Sequence, residues 1–176
     1  TLRAAIIIGH GSASFDMVRQ LATRLPVMVT PRWVQNECQP IAIDDVIAYL
    51  VGVLDAPETA GETYEIGGPD VLTYGEILRQ TARAMGRRAP VIVPIPVLTP
   101  KLSSYWIGLV TNVDSHVARP LIEGLRNAVV VRDDSIRNSL DFELTPFMTA
   151  VERALAARRG ERDPTREAVQ QAEGQV

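Results

Sequence analysis

The first residues of the chain constrain its fold more than any other feature. The segment Leu2–Ile8 reads Leu-Arg-Ala-Ala-Ile-Ile-Ile, which is apolar on both faces when extended. Strands of this kind belong in parallel sheets that are covered on both sides. Their neighbours are reached through crossovers of roughly a dozen residues or more. Because nothing before Thr1 could supply such neighbours, we expect the sequence to be the C-terminal part of a longer protein.

Composition narrows the function further. Apolar residues make up 46% of the 176, which is enough for a hydrophobic core. No apolar run approaches the ~18 residues of a membrane helix, and no signal peptide is recognisable. A net charge of −3, with no dense basic face, argues against nucleic acid. We therefore expect a small-molecule substrate and a homo-oligomer, with neither a nucleic acid nor a membrane as partner.

Cysteine and histidine usage bears on redox state and metals. The single cysteine, Cys38, excludes an internal disulfide and fits a cytoplasmic location. The only two histidines, His10 and His116, are far apart in the sequence and show no metal-ligand spacing. We expect no metal site, and we interpret Cys38 as a structural thiol.

Strand-like and helix-like patterns alternate along the first half of the chain. The second half is predicted to be mostly helical, with a charged and disordered tail. The predicted helices are Phe15–Leu25, Asp45–Leu54, Ile77–Met85, Lys101–Val110, Ser115–Leu125, Asp134–Leu140 and Phe147–Arg159. The predicted strands after Leu2–Ile8 are Val27–Val29, Gln39–Ile43, Thr63–Ile66 and Val91–Pro96, and Arg32–Gln39 is predicted to be irregular.

Three helix starts carry capping signals. Asp44 and Asp45 precede an apolar helical pattern, where a carboxylate can accept hydrogen bonds from the first-turn amides. Thr73 and Glu76 have the spacing of a capping box. Thr145 is followed by Pro146, which suits the first helical position.

The turn Gly9–Ser14 has the context of a dinucleotide-binding loop, because it follows an apolar strand and precedes a helix. Its third glycine position is Ser14, and no regular strand–helix–strand continuation follows Val29. We therefore interpret it as a strand-to-helix turn that needs glycine for its backbone.

Taken in order, several segments resemble the second half of extended short-chain dehydrogenases/reductases, the sugar-nucleotide epimerase and dehydratase group. They are Leu2–Gly11, similar to a late core strand and its turn; Gln39–Val46, similar to a strand and Asp-Asp-Val helix start; and Glu62–Pro69, similar to a Tyr-Asn-Ile-Gly-Gly segment. The stretch Pro94–Arg126 resembles an atypical bacterial branch described only as NAD(P)-binding or epimerase-like. The resemblance implies an α/β fold, namely the C-terminal part of a Rossmann-like parallel sheet plus a mostly helical substrate lobe.

The resemblance also implies domains and site residues. It divides the chain into residues 1–88 (Rossmann-like core), 89–160 (substrate lobe) and 161–176 (tail). Ala4, Ala5 and Ile6 are expected on the nicotinamide side of NAD or NADP in the intact protein. Arg32 and Gln39 are expected at the substrate, for which the resemblance implies a nucleotide sugar. No catalytic residue is assigned.

Two departures from the family pattern are definite. Ala4-Ala5 replaces the Pro-Gly of the family, and the family's Tyr-x-x-x-Lys pair is missing, because the only lysine is Lys101 and Val97 stands four residues before it. In the family, that lysine assists proton exchange by the tyrosine.

Three functions remain open from the sequence. The main one is the substrate-binding part of an NAD(P)-dependent epimerase- or reductase-like protein, in which this part alone binds no cofactor. The alternatives are a non-catalytic NAD(P)-binding scaffold or redox sensor of the same fold, and a free-standing helical interaction domain.

Overall fold

The structure is a computed structural model, and it describes residues 1–24, 26–95 and 127–160. The strands are β1 (Leu2–Ala4), β2 (Ile7–Ile8), β3 (Val27–Pro31), β4 (Glu37–Cys38), β5 (Ile41–Ala42), β6 (Tyr64–Ile66), β7 (Leu72–Thr73) and β8 (Val91–Ile95). The helices are α1 (Ala13–Arg24), α2 (Ile43–Asp55), α3 (Tyr74–Ala84) and α4 (Phe147–Arg159). Short 3-10 helices cover Arg32–Gln35, Pro57–Thr59 and Ser135–Asn138.

The strands of this described part associate in pairs. β1 pairs with β6, β2 with β5 and β3 with β8, all in parallel, whereas β4 and β7 are antiparallel. Parallel pairs joined by helical crossovers are the signature of an α/β protein. The predicted fold class is therefore confirmed.

Two apolar clusters hold these elements together. The larger joins α1, α3 and α4 around Phe15, Ile77 and Val151, each 3% exposed or less. The smaller packs Tyr49 of α2 against Ile66 at the end of β6. Each such side chain contributes about 1.5–3 kcal/mol by leaving water. The predicted apolar face of α1 lies in the larger cluster, although Leu25 is outside the described residues.

The opening segment is not one continuous strand, as the sequence predicted. A bend at Ala5 separates β1 from β2, and the two halves pair with different strands, β6 and β5. The parallel pairing was predicted correctly, but the continuity was wrong, because the bend at Ala5 lets the two halves pair with two different strands.

Two of the three helix caps differ from their predictions. Ala42 is the N-cap of α2 and makes no side-chain capping bond, so Asp44 and Asp45 lie inside the first turn. Pro146 is the N-cap of α4, and the Phe147 amide donates instead to Asp70 Oδ2 at 2.7 Å. The capping box of Thr73 and Glu76 is confirmed at the start of α3.

The remaining differences are local. The segment predicted to be irregular around Trp33 contains a 3-10 turn and β4, because β4 finds a partner in β7, which lies 34 or more residues later. The short helix predicted at Asp134–Leu140 is a 3-10 turn. The predicted helices Lys101–Val110 and Ser115–Leu125 and the tail 161–176 lie outside the described residues, and the division of the chain at residues 88 and 160 stays a prediction.

Candidate functional site

A cavity of about 270 Å³ lies where β1 and β6 end. Its wall combines the end of each strand with a segment from much later in the chain. The lining residues are Arg3, Ala4, Ala5, Gln39, Glu65, Ile66, Ala128, Val129, Val130, Val131 and Arg132. Since Ala4 stands opposite Ile66 in a parallel register, both strands present their carboxyl ends on the same side. Ligands of open α/β sheets bind outside such ends.

Gln39 fastens the late segment to the strands. Its Nε2 donates to the Gly68 carbonyl at 2.7 Å, and its Oε1 accepts from the Val131 amide at 3.0 Å. Its backbone amide also donates to the Val129 carbonyl at 2.9 Å. Two hydrogen bonds from Gln39 to residues 129–131 and a third to Gly68 therefore join the late segment to the loop after β6 and close one side of the cavity.

The glycine pair Gly67-Gly68 permits this close approach. A Cβ on Gly68 would lie 2.4 Å from the Pro40 carbonyl oxygen, and one on Gly67 would lie 2.8 Å from the Gln39 side chain. A side chain at position 68 would require the backbone to move, and one at position 67 would displace the Gln39 side chain. Close packing at the wall of the cavity therefore explains why residues 67 and 68 are both glycine.

The rim of the cavity carries charge of both signs. Arg3 and Arg132 contribute guanidinium groups, and Glu65 contributes a carboxylate. Glu65 Oε2 accepts from the Arg132 backbone amide at 2.8 Å. This bond ties the late segment to β6 and leaves the Arg132 side chain beside the cavity.

The cavity brings together three of the five residues that the resemblance placed at a site. Ala4, Ala5 and Gln39 all line it. Ile6 does not, because its side chain is 8% exposed within the larger core cluster. Arg32 is exposed on the 3-10 turn after β3 and is not among the lining residues. Contacts of any of these residues with a cofactor or substrate stay predictions.

The sequence analysis did not predict that the 128–132 segment belongs to the site. Its only signal is a short apolar run, Ala128–Val131, which is equally typical of a buried strand. Its position depends on hydrogen bonds to Gln39 and Glu65, which lie 92 and 67 residues earlier. Local patterns contain no information about such pairings.

The glycine turn after β2 is explained by contacts within the chain. A Cβ on Gly9 would lie 2.7 Å from Ile43, and Gly11 has a φ of +81°. The Ser12 hydroxyl donates to the Ile7 carbonyl at 2.8 Å and accepts from the Phe15 amide at 3.4 Å. These contacts account for the residues of the turn without a bound phosphate.

Cys38 is buried beside Tyr74. It is fully inaccessible, and burial raises the pKa of its thiol. Burial also raises the pKa of Tyr74, which shares a side-chain hydrogen bond with Cys38. Both groups therefore stay neutral at ordinary pH, and a neutral, buried thiol is unreactive.

Neither a metal-ligand cluster nor a membrane-spanning helix is present among the described residues. They contain no group of three or more histidine, cysteine, aspartate or glutamate side chains that could hold a metal ion. No helix in this part of the chain is long and apolar enough to cross a bilayer.

Comparison with known proteins identifies the fold. No protein-family model and no curated protein matches the sequence. The structure matches UDP-N-acetylglucosamine 4-epimerase from Bacillus cereus with a TM-score of 0.58 and 17% identity, over 92% of this chain and 46% of that one. The fold is that of about half an epimerase chain.

Two other solved structures agree. A human epimerase family protein with NADPH matches with a TM-score of 0.59 and 18% identity, over 87% of this chain and 46% of that one. UDP-glucose 4-epimerase from Thermotoga maritima, with UDP-glucose, matches with a TM-score of 0.56 and 13% identity, over 90% of this chain and 45% of that one. The chain thus spans about half the length of these proteins, and the predicted resemblance is confirmed at the level of the fold.

Proposed function

We propose that this chain is the substrate-binding part of an NAD(P)-dependent epimerase- or reductase-like protein. The observation that carries the proposal is the cavity that gathers Ala4, Ala5 and Gln39 at the carboxyl ends of β1 and β6. In this proposal, the nicotinamide end of NAD or NADP meets the substrate there. The epimerase folds, one solved with NADPH and one with UDP-glucose, support both the cofactor class and a nucleotide-sugar substrate.

The size of the cavity suits one end of the cofactor. Pockets that enclose a drug-sized ligand measure roughly 300–1,000 Å³, and this one measures about 270 Å³. It has room for a ring or a sugar, and its small side chains at Ala4 and Ala5 keep that room open. A whole dinucleotide needs further contacts, so we predict that this chain alone binds NADH and NADPH more weakly than ~100 µM, about −5.5 kcal/mol.

The test compares this chain with the longer natural protein that the proposal requires. Calorimetric titration with NADH and NADPH should give saturable binding to the longer protein only. In the longer protein, Ala5→Leu fills the cavity and should weaken the affinity for cofactor or substrate by ~10-fold or more, about 1.4 kcal/mol. Ala60→Leu is the matched control, because Ala60 is exposed and is not among the residues that line the cavity.

Two results would contradict the proposal. One is tight dinucleotide binding by the 176-residue chain itself, which would revive the Gly9–Ser14 turn as a phosphate site. The other is an Ala5→Leu variant that folds normally and keeps its full affinity. If the longer protein binds the cofactor but shows no turnover, the non-catalytic scaffold is favoured over the enzyme. The two functions must be distinguished because the tyrosine–lysine pair is missing from these residues.

Self-association stays a prediction. We expect the interface of the predicted homo-oligomer at Leu2–Ile8 or at Phe15–Leu25, because an uncovered apolar strand needs a partner. The apolar face of α1 lies in the core, so an interface there would use its other face. Light scattering of Ile7→Glu against the unmodified chain tests the first of these surfaces.

A further inference from the structure

Helix α2 has a second apolar face that nothing in the described chain covers. Its inner face packs Tyr49, 2% exposed, against the smaller core cluster. Its outer face carries five exposed apolar side chains, from 37% for Ile43 to 80% for Leu54. They are Ile43, Ile47, Leu50, Val51 and Leu54, which we call the α2 stripe. A contiguous apolar patch on a protein surface marks an interaction site.

The spacing of the α2 stripe indicates a helical partner. Ile43, Ile47, Leu50 and Leu54 follow one another at intervals of four, three and four residues. This is the spacing of a helix that packs along another helix at a shallow crossing angle. The polar residues of the first turn, Asp44 and Asp45, lie off this stripe and make contacts with Arg153 and Thr145.

The sheet beside α2 indicates where that helix comes from. Within the described residues β1 pairs with β6 alone, so its other edge carries unpaired backbone groups. Helix α2 precedes β6 in the chain, separated from it by the 3-10 turn Pro57–Thr59. Val46 and Val53 of α2 pack against the same buried cluster as Leu2 and Ala4 of β1, and Ile66 of β6 belongs to that cluster. A further parallel strand at the free edge of β1 would need its own crossover helix. Because such crossovers are right-handed, successive crossovers in one direction place their helices side by side on one face.

We infer that the α2 stripe is the docking surface for a crossover helix from the other half of the fold, the half whose last strand pairs with the free edge of β1. The inference rests on the proposed function, because it requires a longer protein. The matched epimerase structures are about twice as long as the part that this chain covers, which leaves room for such a half.

A second copy of the chain fits the stripe less well. A 13-residue helix is about 20 Å long and roughly 10 Å wide, so two copies of α2 would share a footprint of roughly 200 Å². A standard interface buries about 800 Å² on each partner. A helix on the α2 stripe together with a strand on the free edge of β1 would bury more area than two α2 helices do. The strand would also form hydrogen bonds with the backbone of β1.

The experiment uses single-cysteine labelling. Leu54→Cys places a thiol on the stripe, and Asp55→Cys places one on the next, exposed residue as the matched control. The native Cys38 is fully buried and is expected to remain silent. Each variant is prepared both as this chain and as the longer natural protein, and the rate of reaction with a maleimide is measured at several protein concentrations.

We expect both thiols to react rapidly in the 176-residue chain, at rates independent of concentration. In the longer protein, Leu54→Cys should react at least ~10-fold more slowly, because a packed thiol is inaccessible, whereas Asp55→Cys should not change. Equal rates for the two thiols in the longer protein would overturn the inference. So would concentration-dependent protection in the short chain, which would assign the stripe to a second copy, or a natural gene product of only 176 residues.

Labelling reports burial and not cofactor binding, so its failure is distinguishable from that of the proposed function. A longer protein that protects Leu54→Cys and binds no NAD(P)H would keep the docking surface and contradict the function. A longer protein that binds NAD(P)H and leaves the Leu54→Cys thiol reactive would keep the proposed function and contradict the docking surface.

Discussion

Asp45 and Thr145 lie one hundred residues apart in sequence and are joined by two hydrogen bonds. The Thr145 backbone amide donates to Asp45 Oδ2 at 2.8 Å, and the Thr145 hydroxyl donates to Oδ1 at 2.8 Å. The carboxylate is 4% exposed and belongs to the first turn of α2, whereas Thr145 precedes α4. Asp45 thereby fixes the entry to α4 relative to the sheet.

Removing this carboxylate should therefore destabilise the whole chain. We expect Asp45→Ala to lower the free energy of unfolding by about 1.5–3 kcal/mol, because two hydrogen bonds to a charged group are lost and the half-buried Thr145 donors lose their acceptor. Asp44→Ala is the matched control. Its 3.8 Å ion pair with Arg153 is partly exposed, so the loss should be about 1 kcal/mol or less. Urea unfolding of both variants measures the difference, and an equal loss would restore Asp44 as the cap that the sequence predicted.

Asp70 acts at the same helix end. It accepts from the Phe147 amide at 2.7 Å, which gives α4 the side-chain acceptor that its own N-cap, Pro146, cannot provide. Asp70→Ala should cost about 0.5–2 kcal/mol, as for other lost caps. Hydrogen exchange should show the Phe147 amide opening faster. Asp133→Ala, which removes an exposed acceptor at a different turn, should leave that amide unchanged.

Gly68 is predicted to be intolerant of any side chain. A Cβ there would lie 2.4 Å from the Pro40 carbonyl oxygen, a backbone atom that cannot move alone. We expect Gly68→Ala to cost about 1–3 kcal/mol or more, and to release Gln39 from its bond to the Gly68 carbonyl. Gly61→Ala, at a turn with a φ of +83° and open space around it, should cost about 1–2 kcal/mol from backbone strain only. Thermal unfolding ranks the two, and a Gly68→Ala variant as stable as the parent would refute the packing argument.

These residues show which contacts could be predicted from the sequence and which could not. The helical spacing of α1 and the Thr73 capping box depend on neighbours within a few positions, and both were predicted correctly. The acceptor for the Phe147 amide lies 77 residues away, and the partner of Asp45 lies 100 residues away. A short aspartate at the start of a helix fits a cap and a tertiary tether equally well, so only the folded chain separates the two roles.

The candidate site also contains some residues that the sequence predicted and others that it did not. Ala4, Ala5 and Gln39 were named through an ordered resemblance, and they line one cavity. Residues 128–132 were not named, because none of the segments that carry the resemblance includes them. Their place depends on the two ends of the Gln39 side-chain amide, which join Gly68 to Val131.

The contribution of the α3 capping box to stability depends on pH, because the box includes the Glu76 carboxylate. Glu76 Oε2 accepts from the Thr73 amide and from the Thr73 hydroxyl, both at 2.8 Å, and the Glu76 amide donates to Thr73 Oγ1 at 3.2 Å. The hydrogen bonds from Thr73 hold the pKa of Glu76 below its ordinary value of 4.5, and the bond from the backbone amide has the larger effect. A carboxylate with a depressed pKa stabilises the folded state fully above its unfolded pKa. That stabilisation is lost as the pH falls through the lower, folded value.

We therefore expect the stability difference between the parent chain and Glu76→Gln to be constant above about pH 5 and to shrink as the pH falls below 4.5. Thr73→Ala removes the other half of the box and should cost about 0.5–2 kcal/mol at neutral pH. Adding Glu76→Gln to it should cost little more, since the two side chains act on each other. Urea unfolding at pH 3.5, 4.5 and 7 measures all three variants. A parent-minus-Glu76→Gln difference that grows towards low pH would show that folding raises the pKa of Glu76, which would contradict the role of its carboxylate in this capping box.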